Sequence, residues 1–156
     1  MRRTALLCAI ALALGGAAVA YAAGSGARTP RTTQLHLREQ ATGASYVHPF
    51  ATKGTSRGDY VAFFDPLADA ASKATVGHVQ GVCTLVNVAQ LLFSCDVVTF
   101  QLPGGTLYSG GLFSGKGLSM ADPIFGGTGR YAGASGTITG RALSQTTDDW
   151  VISVTS

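Results

Sequence analysis

Charge is scarce in this chain: only 12% of its 156 residues are Asp, Glu, Lys or Arg, against a usual quarter or so. That excludes a disordered polyampholyte and a protein that coats RNA or DNA, both of which need dense charge. The formal net charge of +3 falls further once Arg2 and Arg3 are assigned to an export signal, because 9 basic residues then face 8 acidic ones and leave +1. No nucleic-acid partner follows from that. Histidine and cysteine are sparse too. His36, His48 and His78 lack metal-type spacing such as H-x-x-x-H, and no C-x-x-C exists among the 3 cysteines, so neither a metal site nor a cofactor is expected. The absence of G-x-S-x-G excludes an α/β-hydrolase nucleophile elbow. Beyond the N-terminus there is no second apolar run of membrane length, so no stable membrane insertion is expected after the signal is removed.

Glycine, by contrast, fills 21 of 156 positions, about twice its ordinary share. A helical bundle is a poor fit, because each glycine inside a helix costs about 1 kcal/mol relative to alanine.

The N-terminus reads as an export signal. Met1-Arg2-Arg3 is a basic start, an apolar run follows from Ala5 to Ala20, and Ala20-Tyr21-Ala22 is an A-x-A cleavage triplet. The run is shorter than the ~20 residues of a membrane span, and Cys8 has no lipoprotein-type cleavage motif after it. The expected division is a signal peptide at 1–22, a flexible leader at 23–32 and one folded domain at 33–156, secreted to the cell exterior.

Alternating apolar and polar residues mark strands at Thr33–Gln40, Ser45–Phe50, Asp59–Asp65, Gly77–Asn87, Leu91–Phe100, Thr106–Phe113, Gly136–Ser144 and Asp149–Thr155. Only Pro66–Lys73 is compatible with a helix. Eight short strands at this spacing predict an all-β sandwich or a closed barrel. If the Asn87–Gln90 turn centres a hairpin near Ala89, Cys83 falls opposite Cys95, and an oxidising compartment would bond the pair. Two buried free thiols, or one reactive cysteine, are the alternatives.

Two nucleotide-like motifs fail on context. Gly110 to Lys116 satisfies G-x-x-x-x-G-K but continues with Gly117 instead of Ser or Thr. Gly127 to Ala132 satisfies G-x-G-x-x-A but is followed by glycines and a strand pattern, with no helix to hold a pyrophosphate.

Three segments resemble the dirigent and allene oxide cyclase families. Gly58-Asp59-Tyr60-Val61-Ala62-Phe63-Phe64-Asp65-Pro66-Leu67 is similar to their strand ending in Asp-Pro-Leu. Val76-Gly77-His78-Val79-Gln80-Gly81-Val82-Cys83 is similar to V-G-x-x-Q-G, and Phe125 to Ala134 resembles their G-G-T-G turn. The resemblance implies an eight-stranded antiparallel β-barrel, a possible homotrimer, whose lumen binds a small apolar molecule. In that lumen the molecule's cyclisation or stereoselective coupling would be steered, as by an isomerase. A non-catalytic carrier or binding module for a hydrophobic metabolite is the other reading.

Residue by residue, the resemblance matches Asp65 to the dirigent lumen aspartate and Cys83 to a cavity-lining cysteine of the cyclases. The cyclase first-strand glutamate falls nearest His36, with Glu39 three residues on. Ser45 stands where the cyclases have proline, and Ser135 replaces a dirigent arginine. From the residues themselves, Val61, Phe63 and Asp65 share one strand face. Asp65 is then either a catalytic lumen acid or a rim residue capping the turn at Pro66. Phe63, Tyr46 and Tyr108 suit a ligand-binding wall, though the tyrosines equally suit plain core or surface positions. His78 is expected on the polar face, Arg130 at the barrel mouth, and Asp148-Asp149 as turn acids before the last strand.

Overall fold

Period-two alternation builds the strands. In the last of them Trp150, Ile152 and Val154 are buried while Val151, Ser153 and Thr155 are only half-buried, which is the pattern of a sheet with one face turned to a core. The computed structural model describes residues 30–43, 45–48, 54–116 and 119–156. The expected signal peptide and most of the leader lie outside the described residues, as do Pro49 and Phe50. The strands are β1 (Thr32–Gln40), β2 (Ser45–Val47), β3 (Tyr60–Asp69), β4 (Thr75–Asn87), β5 (Leu92–Leu102), β6 (Gly105–Ser114), β7 (Met120–Gly127), β8 (Ser135–Ala142) and β9 (Thr147–Thr155). One 3-10 turn, Gly129–Tyr131, is the only helical element among the described residues.

All pairings are antiparallel. The order round the sheet is β1-β9-β8-β7-β6-β5-β4-β3, and β3 returns to β1 through Leu37↔Asp69 and Glu39↔Leu67. The molecule is thus an all-β, closed eight-stranded antiparallel barrel, as the alternation and the family resemblance imply. β2 does not add a ninth stave. It lies on the same edge of β3 as β1, pairing Ser45↔Ala62 and Val47↔Tyr60, so β1 and β2 are two pieces of one side of the barrel. From Glu39 to Ser45 that side uses six residues where β3 uses five between Leu67 and Ala62. The extra residue opens a break in the ladder opposite Phe63–Pro66.

The break explains why β3 runs through a proline. The sequence suggests a stop at Asp65 and a helix-compatible Pro66–Lys73, but β3 continues to Asp69. Pro66 pairs with His78 of β4, while its other side faces the gap between β1 and β2. A missing N–H goes unnoticed there. After Asp69 the chain turns, held by the Asp69 carboxylate, which accepts hydrogen bonds from the Ala71 and Ser72 amides and the Ser72 hydroxyl.

β7 is the stave that the strand pattern does not reveal, and it too contains a proline. The Pro123 carbonyl accepts a hydrogen bond from Ser109 Oγ of β6 at 3.0 Å, so its imide nitrogen also faces β6. The β6–β7 ladder ends at Ser109↔Ile124, just short of Pro123. Beyond that point the Asp122 carboxylate stands in for the ladder by accepting the Leu112 N–H at 3.0 Å.

Cys83 and Cys95 are directly paired across β4 and β5 and are joined by a disulfide, with Cα atoms 4.1 Å apart. The pairing expected from the hairpin holds from Cys83 to Leu85. It then slips, because Leu91 adopts φ 48° and Asn87 pairs with Leu92. The cysteines are 12 residues apart, and closing so short a loop stabilises by about 3 kcal/mol in the chain-entropy model. The double variant C83A/C95A should therefore lose about 3 kcal/mol in urea unfolding monitored by circular dichroism, with the native far-ultraviolet spectrum kept. Thiol titration of the unfolded, unreduced parent should find neither Cys83 nor Cys95 free.

Candidate functional site

The barrel interior is divided along its axis. Leu67, Val79, Leu107 and Ile152 have no exposed surface and fill one half as a packed apolar plug. The other half is hollow. Its cavity of about 270 Å³ is walled by Val61, Phe63, Phe93, Val98, Phe100 and Phe113 together with the Cys83–Cys95 disulfide. Tyr46 and Gln145, both exposed, also line it, which places the mouth between them.

Trp150 organises the inner wall. Its ring meets Phe100 edge-on at 5.4 Å and stacks on Phe113 at 6.0 Å between centroids. It also lies across Gly140, the residue it pairs with on β8, where a Cβ would come within 2.4 Å of the indole. Only glycine lets the ring lie flat there. The indole Nε1–H donates to Glu39 Oε2 at 2.8 Å.

Three carboxylates gather beside Trp150 on neighbouring strands. Glu39 of β1 pairs with Asp148 of β9, and Leu67, its partner on β3, lies two residues from Asp65 on the same strand face. Glu39 and Asp65 are 4% and 1% exposed. Asp65 Oδ1 accepts the Thr42 backbone N–H at 2.7 Å and the Thr42 hydroxyl at 2.9 Å, bridging the break between β1 and β2. Burial, reinforced by the charge of Asp148, pushes the Glu39 carboxyl up to about 8, although the Trp150 hydrogen bond pulls the other way. Burial and the charge of Asp65 push Asp148 up to about 6. Across the lumen burial also raises the Asp122 carboxyl, with partial relief from the Leu112 N–H. At neutral pH Glu39 is therefore a protonated acid next to carboxylates.

Four of the residues singled out from sequence do line this cavity: Asp65, Phe63, Tyr46 and Cys83. Cys83 does so as half of the disulfide. Tyr108 does not. It alternates with the buried Leu107 and Ser109 and lies on the outer face of β6, over Gly126. The space left by Gly81 is taken by the Phe63 ring, 2.9 Å from where a Cβ would be. His36, nearest to the cyclase glutamate by resemblance, faces outward and bonds Asp149 at 2.9 Å. Glu39 holds the lumen position. Asp148 is no turn acid, since it lies within β9 on the Trp150 face. His78 stacks on Phe64 outside the barrel, and Arg130 lies over the Tyr131 ring.

The mouth is fastened by a third buried acid. Asp59 accepts hydrogen bonds from the Ser56 amide, the Ser56 hydroxyl and, at 2.7 Å, His48 Nδ1. Burial would raise its carboxyl, but these partners together hold it below the ordinary value. His48 in turn contacts Tyr46, their rings 4.9 Å apart.

A family model described as Dirigent-like protein matches residues 32–155. The chain belongs to the dirigent family. No curated protein matches it significantly in sequence. Among solved structures it is similar to a pyocyanin demethylase, with 23% identity, TM-score 0.67 and coverage of 78% of this chain and 99% of that one. It is also similar to an exo-specific intermolecular Diels-Alderase, with 17% identity, TM-score 0.67 and coverage of 82% and 99%. A pterocarpan synthase dirigent protein shows 21% identity, TM-score 0.64 and coverage of 81% and 95%. At such identities these likenesses concern the fold of this dirigent-family chain.

The raised carboxyls have a signed consequence for stability. Between the ordinary glutamate value and about 8, the native state holds a proton on Glu39 that the unfolded chain has released, so stability falls as pH rises through this window. Urea unfolding should show a loss of a few kcal/mol between pH 5 and 8.5. Glu39→Gln mimics the protonated acid, keeps an acceptor for Trp150, and should flatten most of that slope.

Proposed function

We propose that this dirigent-family barrel is an exported isomerase or cyclase that encloses one apolar small molecule in its lumen and steers its ring closure or coupling. The observation that carries the proposal is the position of the acids: an apolar cavity of about 270 Å³ has Glu39, Asp65 and Asp148 clustered on one wall. Its size is near the lower end of small-molecule sites. The named chemistry of the structural neighbours, cycloaddition among them, is in keeping with this reading.

The chemistry follows from a proton donor and an acceptor on one wall. Protonated Glu39 donates to a carbonyl or ether oxygen of the substrate, making the adjoining carbon electrophilic. Asp65, fixed by Thr42, accepts the proton of the attacking hydroxyl as the ring bond forms. The reaction gains and loses no atoms and moves no electrons to an outside acceptor. The proton then returns from Asp65 to Glu39 across the shared wall of the lumen, which resets the site. Such acid–base assistance contributes about 10²- to 10⁴-fold in rate, and confinement between Phe63, Tyr46 and the disulfide adds the gain of a preset conformation.

Export accounts for the disulfide, since such bonds persist in oxidising compartments. Among the described residues no helix is long and apolar enough to cross a membrane. Assembly as a homotrimer belongs to the same proposal. Phe64 and Val82, each 53% exposed, are diagonal neighbours on the outer face of β3 and β4 and offer apolar surface for it.

Native mass spectrometry of the secreted protein should find a bound small molecule, whose conversion then serves as the assay. E39Q and D65N should each lower kcat by at least 10²-fold while the molecule still binds. Binding without conversion by the parent would favour a carrier. Full turnover by both folded variants would show that the acids take no part.

A further inference from the structure

We propose that the molecule this lumen accepts is an apolar organic cation, a protonated or quaternary amine or an iminium on a hydrocarbon frame. The inference rests on the lumen being the functional site and adds the charge of its occupant.

The first ground is an imbalance of charge. Of the 8 acidic residues in the chain, Glu39, Asp65, Asp122 and Asp148 line the cavity, and among the described residues no Lys, Arg or His lines it with them. The bases of the same strands are turned the other way. His36, Arg38 and Arg141 converge on Asp149 at 2.9, 3.7 and 3.8 Å on the outer face. Asp148, one residue earlier and on the opposite face, has no ion pair among the described residues. Thr42, Trp150 and Leu112 supply hydrogen bonds to the lumen acids, and among the described residues no group supplies them a positive charge. Carboxylates withdrawn from water without a counter-charge are costly, and a bound cation would supply it.

The second ground is the nature of the walls. Phe63, Phe93, Phe100, Phe113 and Trp150 surround the same space, and aromatic faces attract organic cations, most strongly where water is excluded. A metal ion suits the site less well. Among the described residues no three acidic, histidine or cysteine side chains converge as metal ligands do. Carboxylate-bearing molecules would meet like charge.

The chain has 1 Trp, and it lines the cavity, so its fluorescence reports occupancy directly. Phenyltrimethylammonium and tert-butylbenzene have nearly the same shape and differ in charge, while 4-tert-butylbenzoate reverses the charge. At pH 7.5 and low ionic strength the ammonium ion should bind at least tenfold more tightly than the hydrocarbon, with the benzoate weaker than either. In D148N, checked for native circular dichroism, the cation-to-hydrocarbon ratio should drop about tenfold. If D148N does not fold, D65N replaces it in the same comparison. Equal or weaker binding of the cation overturns the inference while leaving the lumen as an apolar site, and so does a preference that the variant leaves unchanged. If none of the three ligands perturbs Trp150, the inference falls together with the reading of the lumen on which it rests.

Discussion

The contact between Asp65 and Thr42 is the point on which the rest of this barrel turns. A closed sheet tolerates no free edge, yet β1 and β2 leave one open over the residues that face Phe63–Pro66. Asp65 closes it with its side chain, taking the amide and hydroxyl of Thr42 in place of the missing strand partner. A carboxylate that bridges a gap in this way has to sit on the inner face, beside the apolar Val61 and Phe63. The same gap permits Pro66. The structural and chemical readings of Asp65, which look exclusive from sequence, therefore coincide. It is the anchor of a strand break, and for that reason it is an acid held rigidly at the wall of a cavity.

Placing one acid there changes the others. Glu39 and Asp148 are neighbours across β1 and β9 and both approach Asp65. With no base among them, like-charge repulsion and burial act in the same direction, so the cluster lowers its energy by holding a proton on Glu39. Trp150 adds a single donor. Outside the wall the arrangement is inverted, for Asp149 is held by His36, Arg38 and Arg141. Two adjacent aspartates on one strand thus have opposite electrostatic surroundings solely because successive side chains point to opposite faces.

That period of two is also what made much of the molecule readable. It marks seven of the eight barrel staves, though five of their ends are misplaced by two to four residues, and it orients Val61, Phe63 and Asp65 together. Hairpin register puts Cys83 opposite Cys95, and the expectation of an oxidising compartment turns that pairing into a bond. The failures occur where a side chain or a break replaces the ladder. β3 is cut short at Pro66 because the gap opposite it is a tertiary feature, and β7 is hidden by Pro123 and by paired glycines at its end. Glu39 was legible in principle, since the alternation that turns Leu35 and Leu37 inward carries Glu39 with them. Alignment by resemblance pointed to His36, on the opposite face. Asp148 shares the phase of Trp150, Ile152 and Val154, but a pair of aspartates after Thr147 looks like a turn when strand ends are uncertain. Tyr108 could have been excluded by the same phase, from Leu107 and Ser109.

The polar wall is hard to explain as a device for stability. Closing the break needs Asp65 and Thr42 only. Glu39 and Asp148 make no contribution of that kind, and their burial works against the folded state at the pH values where they ionise. The one bond Glu39 makes to the protein, from the Trp150 indole, needs an acceptor but no ionisable one, so a glutamine would serve it without the cost of a buried carboxyl. The acids are also confined to the hollow half of the barrel, because the plug of Leu67, Val79, Leu107 and Ile152 contains none. A destabilising cluster that coincides with the hollow half of the interior is therefore best understood through what enters that space. The molecule that fits would complete both its packing and its charge.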